Sequence, residues 1–170
     1  MTAVIYSLTL PGQMLRRGFW LYVWVAETPQ GEMLYVGRTG DNSSPHATAP
    51  YTRMGQHLGF AKNQNALRRH LSDRGLKAED CASFDLVAFG PLYDEVEKRE
   101  GLSRADLMKL HVPTRDIVGA LEKALAEELK AAGYDVLNTV KSKHSPDLEG
   151  WSAARQAFSQ RFPKLRERYD

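Results

Sequence analysis

Trp20-Leu21-Tyr22-Val23-Trp24-Val25-Ala26, then Thr28-Pro29-Gln30-Gly31, then Met33-Leu34-Tyr35-Val36-Gly37-Arg38-Thr39, is the stretch whose reading decides the fold. Both flanking runs are dense in β-branched and aromatic residues, which suit a pleated, packed surface. Between them Pro29 stands where a fixed φ is wanted and Gly31 closes the turn, so the runs read as an antiparallel hairpin. An even-numbered loop sets Tyr22 and Tyr35 opposite or diagonal to one another on one face. Gly37 removes a side chain beside that face and leaves room for another backbone or a ligand. Two phenols, a glycine and an arginine therefore mark a polar spot on an apolar hairpin, although two strand tyrosines taken alone are ordinary strand aromatics.

Working outward, Trp20, Tyr22 and Trp24 share one side of the first strand, and Phe19, Leu21, Val23 and Val25 share the other. Both sides are apolar, which predicts a central strand covered on both faces. Ala3–Leu10 reads as a strand before the Pro11-Gly12 turn, and Ser83–Phe89 as a third good strand stopped by Gly90-Pro91. Asp41–Pro50 is a loop by composition, able to overhang a substrate groove. A short helix over about Tyr51–Leu58 would project Arg53 and His57 from one face. A second, Asn65–Leu71, ends near Gly75 and carries a basic cluster of Arg68, Arg69, Arg74 and Lys77.

Residues 94–110 read as a charged insertion broken at Gly101-Leu102-Ser103. The strongest helix is expected to begin near Pro113, a good first-turn residue, and to stop at Gly133. Ile117, Leu121, Ala124, Leu125 and Leu129 form its apolar stripe, and Glu122 lies at the edge of it. A carboxylate there needs a partner or a metal. Asp147–Phe162 predicts an amphipathic helix with Trp151, Ala154, Phe158 and Phe162 on one stripe, followed by a basic tail, Lys164–Arg168. The fold class is α+β, a small, mainly antiparallel central sheet flanked by helices. The expected division is 1–145 for the main domain and 146–170 for the C-terminal helix and tail.

The 170 residues suffice for one proper core. A net charge of +2 is too small to identify a nucleic-acid partner, but its distribution is uneven: +2 over residues 1–90, −3 over 91–140 and +3 over 141–170. The single cysteine, Cys81, excludes an internal disulfide framework and a cysteine-cluster zinc site. The spacing of His46, His57, His70 and Cys81 does not resemble a zinc site either. The start of the chain lacks a signal-peptide pattern and no apolar run is long enough for a membrane span, so a cytoplasmic location and no membrane partner are expected.

The Leu-Tyr-Val around Tyr22 and the Tyr-Val-Gly around Tyr35, followed in order by Arg53-x-x-x-His57, Glu122 in a helix and a Leu137-Asn138 pair, resemble the signature of the GIY-YIG nucleases. The resemblance covers about residues 19 to 140. Trp20 and Leu21 replace the glycine and isoleucine of the first half, Val36 replaces the isoleucine of the second, and Glu127 competes with Glu122 for the glutamate position.

Hydrolysing a phosphodiester requires an activated nucleophile, positive charge for the phosphoryl oxygens, and help for the leaving group. Tyr22 is the candidate general base, with Arg53 expected to lower its pKa and clamp phosphate. His57 is an alternative base or leaving-group acid. Glu122 suits a hard cation, Mg²⁺ or Mn²⁺, and Asn138 would hold neighbouring groups or the metal's waters. By resemblance the catalytic roles fall on Tyr22, Tyr35, Arg53, His57, Glu122 and Asn138, with Glu122 as metal ligand. Arg38, Arg68, Arg69, Lys141 and Lys143 are the candidate nucleic-acid contacts. The function implied is metal-dependent DNA endonuclease action. The alternative is a non-catalytic nucleic-acid-binding protein that keeps the nuclease fold, and a weaker third reading is an interaction domain using the Trp151–Phe158–Phe162 stripe.

Overall fold

β1 (Phe19–Thr28) and β2 (Gly31–Arg38) form the expected hairpin, with Thr28 opposite Gly31 around a two-residue Pro29-Gln30 loop. Thr28 Oγ1 donates to the Gly31 carbonyl at 2.7 Å and accepts from the Gln30 N–H at 3.1 Å, which fixes the turn and hence the register. β3 (Ser83–Tyr93) pairs antiparallel with the other side of β1, giving the order β2-β1-β3. This is a computed structural model and describes residues 3–41, 43–62, 65–98 and 100–167; Asn42 of the predicted loop and Arg168 of the predicted basic tail lie outside them.

β1 is central and every residue from Phe19 to Ala26 is buried, as its two apolar faces require. Leu21, Val23 and Val25 pack beneath Val118, Leu121, Leu125 and Leu129 of α3 (Arg104–Ala131) and beneath Ala154 and Phe158 of α4 (Leu148–Phe158). Tyr22, Trp24 and Ala26 face the opposite way, against Leu67 and Leu71 of α2 (Ala66–Asp73), with Met54 and Leu58 of α1 (Pro50–Leu58) beside them. The outer edge of β2 is paired too. Leu34 N–H donates to the Asp135 carbonyl at 2.8 Å, and Leu137 N–H to the Leu34 carbonyl at 2.7 Å. The protein is α+β, with a three-stranded antiparallel sheet and helices on both faces.

Three elements differ from the sequence reading. Ala3–Leu10 forms no strand: Ile5 and Tyr6 are almost fully exposed, so their apolar side chains gain no burial that would hold the segment in a ladder. β3 does not stop at Gly90-Pro91 but continues to Tyr93, absorbing the interruption as a register shift opposite Phe19 and Leu21. Pro113 is not at the first turn of α3 but inside it. Ser103 starts the helix nine residues earlier through a reciprocal capping box with Asp106, so the second half of the supposed insertion is helix. The proline stands at an exposed position, where it removes one backbone bond and leaves the flanking turns to hold. Gly133, at φ +84°, ends the helix as expected: its N–H reaches the Lys130 carbonyl and that of Tyr134 the Leu129 carbonyl.

The C-terminal segment is not an appendage. Phe158, Phe162 and Leu165 are buried in the same core as Val23 and Leu125, and α5 (Lys164–Glu167) closes over it. One core therefore runs across the division expected after residue 145. No helix among the described residues is long and apolar enough to cross a membrane.

Candidate active site

The hairpin register places Tyr22 opposite Gly37 and Trp24 opposite Tyr35, so the two tyrosines are diagonal neighbours on one face. Gly37 does leave room, but for Tyr22 itself, whose ring lies across the bare backbone where a Cβ would sit 2.4 Å from Cε2. That ring position carries the Tyr22 hydroxyl to within 2.7 Å of His57 Nε2, a buried hydrogen bond. His57 comes from the last turn of α1, and its imidazole also packs on Tyr35, ring centroids 4.8 Å apart. His70 of α2 lies on the far side of Tyr35, at 5.6 Å.

Burial governs the protonation of this cluster. It pushes the Tyr22 phenol well above its ordinary value, and Arg53 offsets only part of that. Arg53 does pull the Tyr22 pKa down, as expected, but desolvating the anion outweighs that one cation. Burial likewise raises Tyr35 to about 12, with the Glu122 charge adding to it. His57 is lowered to about 4 by burial first and then by the positive charge of Arg53. At neutral pH both partners of the 2.7 Å bond are uncharged.

Arg53, one turn before His57, donates to Asp41 Oδ2 at 3.0 Å and to Gln56 Oε1 at 2.7 Å. Its Nε is buried with no partner, as is Nδ1 of His57. Asp41 is set in turn by Ser43 and by α3, where the fully buried His111 contacts the Asp41 carbonyl through Nε2 at 3.0 Å. Burial works against the Asp41 carboxylate, but hydrogen bonds from Ser43 and the charge of Arg53 win and hold it down at about 2.

Glu122 projects from α3 towards the end of β2. There Arg38 Nε donates to Glu122 Oε2 at 2.9 Å, while another guanidinium nitrogen bonds the Gly40 carbonyl. Arg38 lies over Gly119, where a side chain would begin within 3.5 Å of Nε. The charges of Glu122 and Arg53 both act on Tyr22 and Tyr35, so the four predicted residues and Arg38 converge on one region. Burial raises Glu122 to about 7 despite Arg38 and Arg53. A carboxylate that still holds its proton so weakly matched by cations is short of positive charge. Arg38 engages one of its oxygens, and Oε1 has no hydrogen-bond partner among the described residues. Glu122 thus fits a single-carboxylate Mg²⁺ or Mn²⁺ position, in which the other ligands are waters and substrate oxygens. No cluster of three or more His, Cys, Asp or Glu stands ready for a metal among the described residues. Glu127 is exposed on another face of α3 and pairs with Lys123 at 3.7 Å.

Asn138 does not face the tyrosines. Its side chain accepts from Val36 N–H at 3.0 Å and donates to the Val36 carbonyl at 2.8 Å, acting as one more strand residue on the β2 edge. It fixes the backbone between Tyr35 and Gly37. Arg68 is also built into the fold: it donates to the Leu58 carbonyl and to Glu79 and covers Phe60. Arg69 is exposed and its charge reaches Tyr35. Lys141 and Lys143 are exposed along the segment after Asn138.

Sequence reasoning missed Asp41, His111 and the pairing of Arg38 with Glu122. A Gly40-Asp41 step directly after a strand that ends in arginine is a usable signal for the first. His111 gave none, because it fell between the supposed insertion at 94–110 and the helix expected to begin near Pro113. Comparison with protein families, with curated proteins and with solved structures finds no match to this chain.

Proposed function

We propose that the protein is a metal-dependent endonuclease that hydrolyses DNA phosphodiester bonds. The observation that carries this reading is the hydrogen bond of Tyr22 to a neutral His57 beside Tyr35, with Arg53, Arg38 and Glu122 acting on the same region. The GIY-YIG resemblance supports it, since these are the positions that carry the family's motif.

With both partners uncharged, the pair works as a relay. The attacking water gives a proton to the Tyr22 oxygen while Tyr22 passes its own to His57 Nε2. The water oxygen forms its bond to phosphorus and the ester oxygen leaves with the bonding electrons. Arg53, whose charge acts on both tyrosines and on Glu122, supplies positive charge against that gathering on the phosphoryl oxygens. A divalent cation held at Glu122 would supply further positive charge at the phosphoryl and leaving oxygens. Tyr35 holds the imidazole from its other side and keeps water from it.

The test is incubation of the purified protein with supercoiled plasmid, single-stranded DNA and RNA in Mg²⁺, Mn²⁺ or EDTA. Metal-dependent nicking of DNA that is lost in Tyr22→Phe is expected; no cleavage with any metal overturns the reading. One observation favours the alternative, a non-catalytic nucleic-acid-binding protein: the Arg38–Glu122 bond neutralises the carboxylate within the protein itself. DNA binding without cleavage in the same assay would select it.

A further inference from the structure

We propose that the groove leading away from Arg38 along α3 is a second nucleic-acid subsite: the backbone beside the reacting phosphate crosses Lys141 and Lys143, and one unstacked base enters the apolar pocket beyond them. This rests on the nuclease reading above. Two adjoining cavities carry it. The first, about 320 Å³, is bounded by Arg38, Arg115 and Gly119 on one side and by Lys141 and Lys143 on the other. Gly119 lies one helical turn before Glu122, so this cavity opens onto the proposed reaction site. Lys141 and Lys143 are exposed and form no ion pair among the described residues, which leaves both charges for a polyanion.

The second cavity, about 660 Å³, is reached past Asp116 and His144, which line both. Its apolar walls are Tyr93, Val112, Pro113 and Ile117, Tyr93 and Ile117 each 40% exposed, and Ser145 and Asp147 also line it, the latter accepting from the Gly150 N–H as the cap of α4. β3 brings Tyr93 to this surface and the proline turn of α3 brings Val112, Pro113 and Ile117. At the junction Asp116 accepts from Arg115 Nε at 2.9 Å and stands 3.4 Å from His144 Nε2, offering polar groups to a base edge. A cationic track ending at an aromatic, apolar pocket matches a nucleic-acid strand with one base turned out, since phosphates want the first and a base face the second.

The experiment uses the wild-type protein in EDTA, so that nothing is cut. Binding is measured by fluorescence anisotropy to a perfect duplex and to the same duplex carrying one bulged 2-aminopurine. The bulged duplex is expected to bind about tenfold or more tightly, the scale of one base stacked on an aromatic ring, with the 2-aminopurine emission quenched. Tyr93→Ala and Ile117→Ser should each bring the two affinities close to parity while leaving the perfect duplex unchanged. Tyr93→Phe should keep the preference. Lys141→Gln with Lys143→Gln should weaken both duplexes alike and lower the salt slope by about two. Equal wild-type affinities, or a preference untouched by Tyr93→Ala and Ile117→Ser, overturn the subsite. Failure to bind either duplex overturns the nuclease reading together with it.

Discussion

The ring of Tyr22 occupies the space that a side chain at Gly37 would need, with Cε2, Cζ and the hydroxyl all within 2.5 Å of a Cβ built there. The two residues are cross-strand partners, so the sheet itself aims the phenol at His57. Gly37→Ala must therefore displace the ring, because the backbone at this position is pinned through Val36 by Asn138. The expected result is a loss of roughly 1–3 kcal/mol of stability from overpacking and a fall in cleavage of about 10²-fold, the upper part of which reflects a lost proton relay. Thermal denaturation and single-turnover rates read the two separately. A variant that cuts at the wild-type rate would show that the Tyr22–His57 bond is not used.

Asp41 acts on the chemistry through Arg53, as a positioning residue. It bonds one guanidinium nitrogen at 3.0 Å and is itself braced by Ser43 and His111. Asp41→Asn keeps the shape but leaves Arg53 less firmly held. A drop of about tenfold in kcat is expected, with KM for DNA unchanged or lower because a negative charge has gone. A purely structural role would instead lower the melting temperature and leave the kcat of the folded fraction alone. Its stability effect has a pH signature too. Asp41 is held at about 2 against an ordinary 3.8, so its contribution is present above pH 3.8 and lost as pH falls towards 2.

His57 and Glu122 should tilt stability against pH in opposite senses. His57 is lowered from 6.5 to about 4, so its neutral form favours folding above pH 6.5 and that benefit fades as pH falls towards 4. Glu122 is raised from 4.5 to about 7, so its benefit is present below pH 4.5 and fades as pH rises towards 7. Each effect is on the order of 3 kcal/mol across its window. Relative to wild type, His57→Gln should gain stability on acidification from pH 6.5 to 4, and Glu122→Gln should gain it from pH 4.5 to 7. Urea denaturation at half-unit pH steps measures both; parallel curves for either variant and wild type would show that its group is not perturbed by burial.

What the sequence made legible follows from local physics. The hairpin, the central strand, α1, α2 and the Gly133 stop each rest on turn chemistry or on periodicity that neighbouring residues settle among themselves. The Tyr22, Tyr35, Arg53, His57 and Glu122 set was legible for the same reason, since ordered motifs on predicted elements bring their side chains along. What was hidden depends on long-range partners. Ala3–Leu10 has strand composition but pairs with no strand of the sheet. Leu165 sits in a basic stretch that reads as a tail, yet it is buried against residues of α4 and the sheet. For that reason removal of residues 164–170 would strip core as well as charge, whereas Lys164→Gln with Arg166→Gln spares Leu165 and loses only the Lys164 contact with the Tyr134 ring and the Arg166 bond to Ser159 Oγ, so stability is read beside binding. If that pair flattens the salt dependence of DNA binding without lowering the melting temperature, the C-terminal +3 balance is an electrostatic handle.

The metal dependence in the proposed reaction stands on Glu122. Unlike Asp41, whose carboxylate is taken up by Arg53 and Ser43, Glu122 has only one oxygen committed, to Arg38 at 2.9 Å, and burial raises it to about 7. Glu122→Gln keeps the side-chain shape and a carbonyl that Arg38 can still donate to, but removes the charge that attracts a hard cation. Cleavage should fall by roughly 10²–10³ or more, as when a principal electrostatic element of a site is lost. The metal concentration giving half-maximal activity should rise, a readout that a purely structural role would not move. DNA affinity in EDTA should be equal or slightly higher, because a negative charge facing phosphate has been removed. Glu127→Gln is the control: its carboxylate points to Lys123 on another face of the helix, and the change should be nearly silent. Normal cleavage by Glu122→Gln alongside loss in Glu127→Gln would mean that the metal binds on the Lys123 face. Normal cleavage by both variants would place the metal away from α3 and overturn the GIY-YIG resemblance, although not the nuclease activity itself.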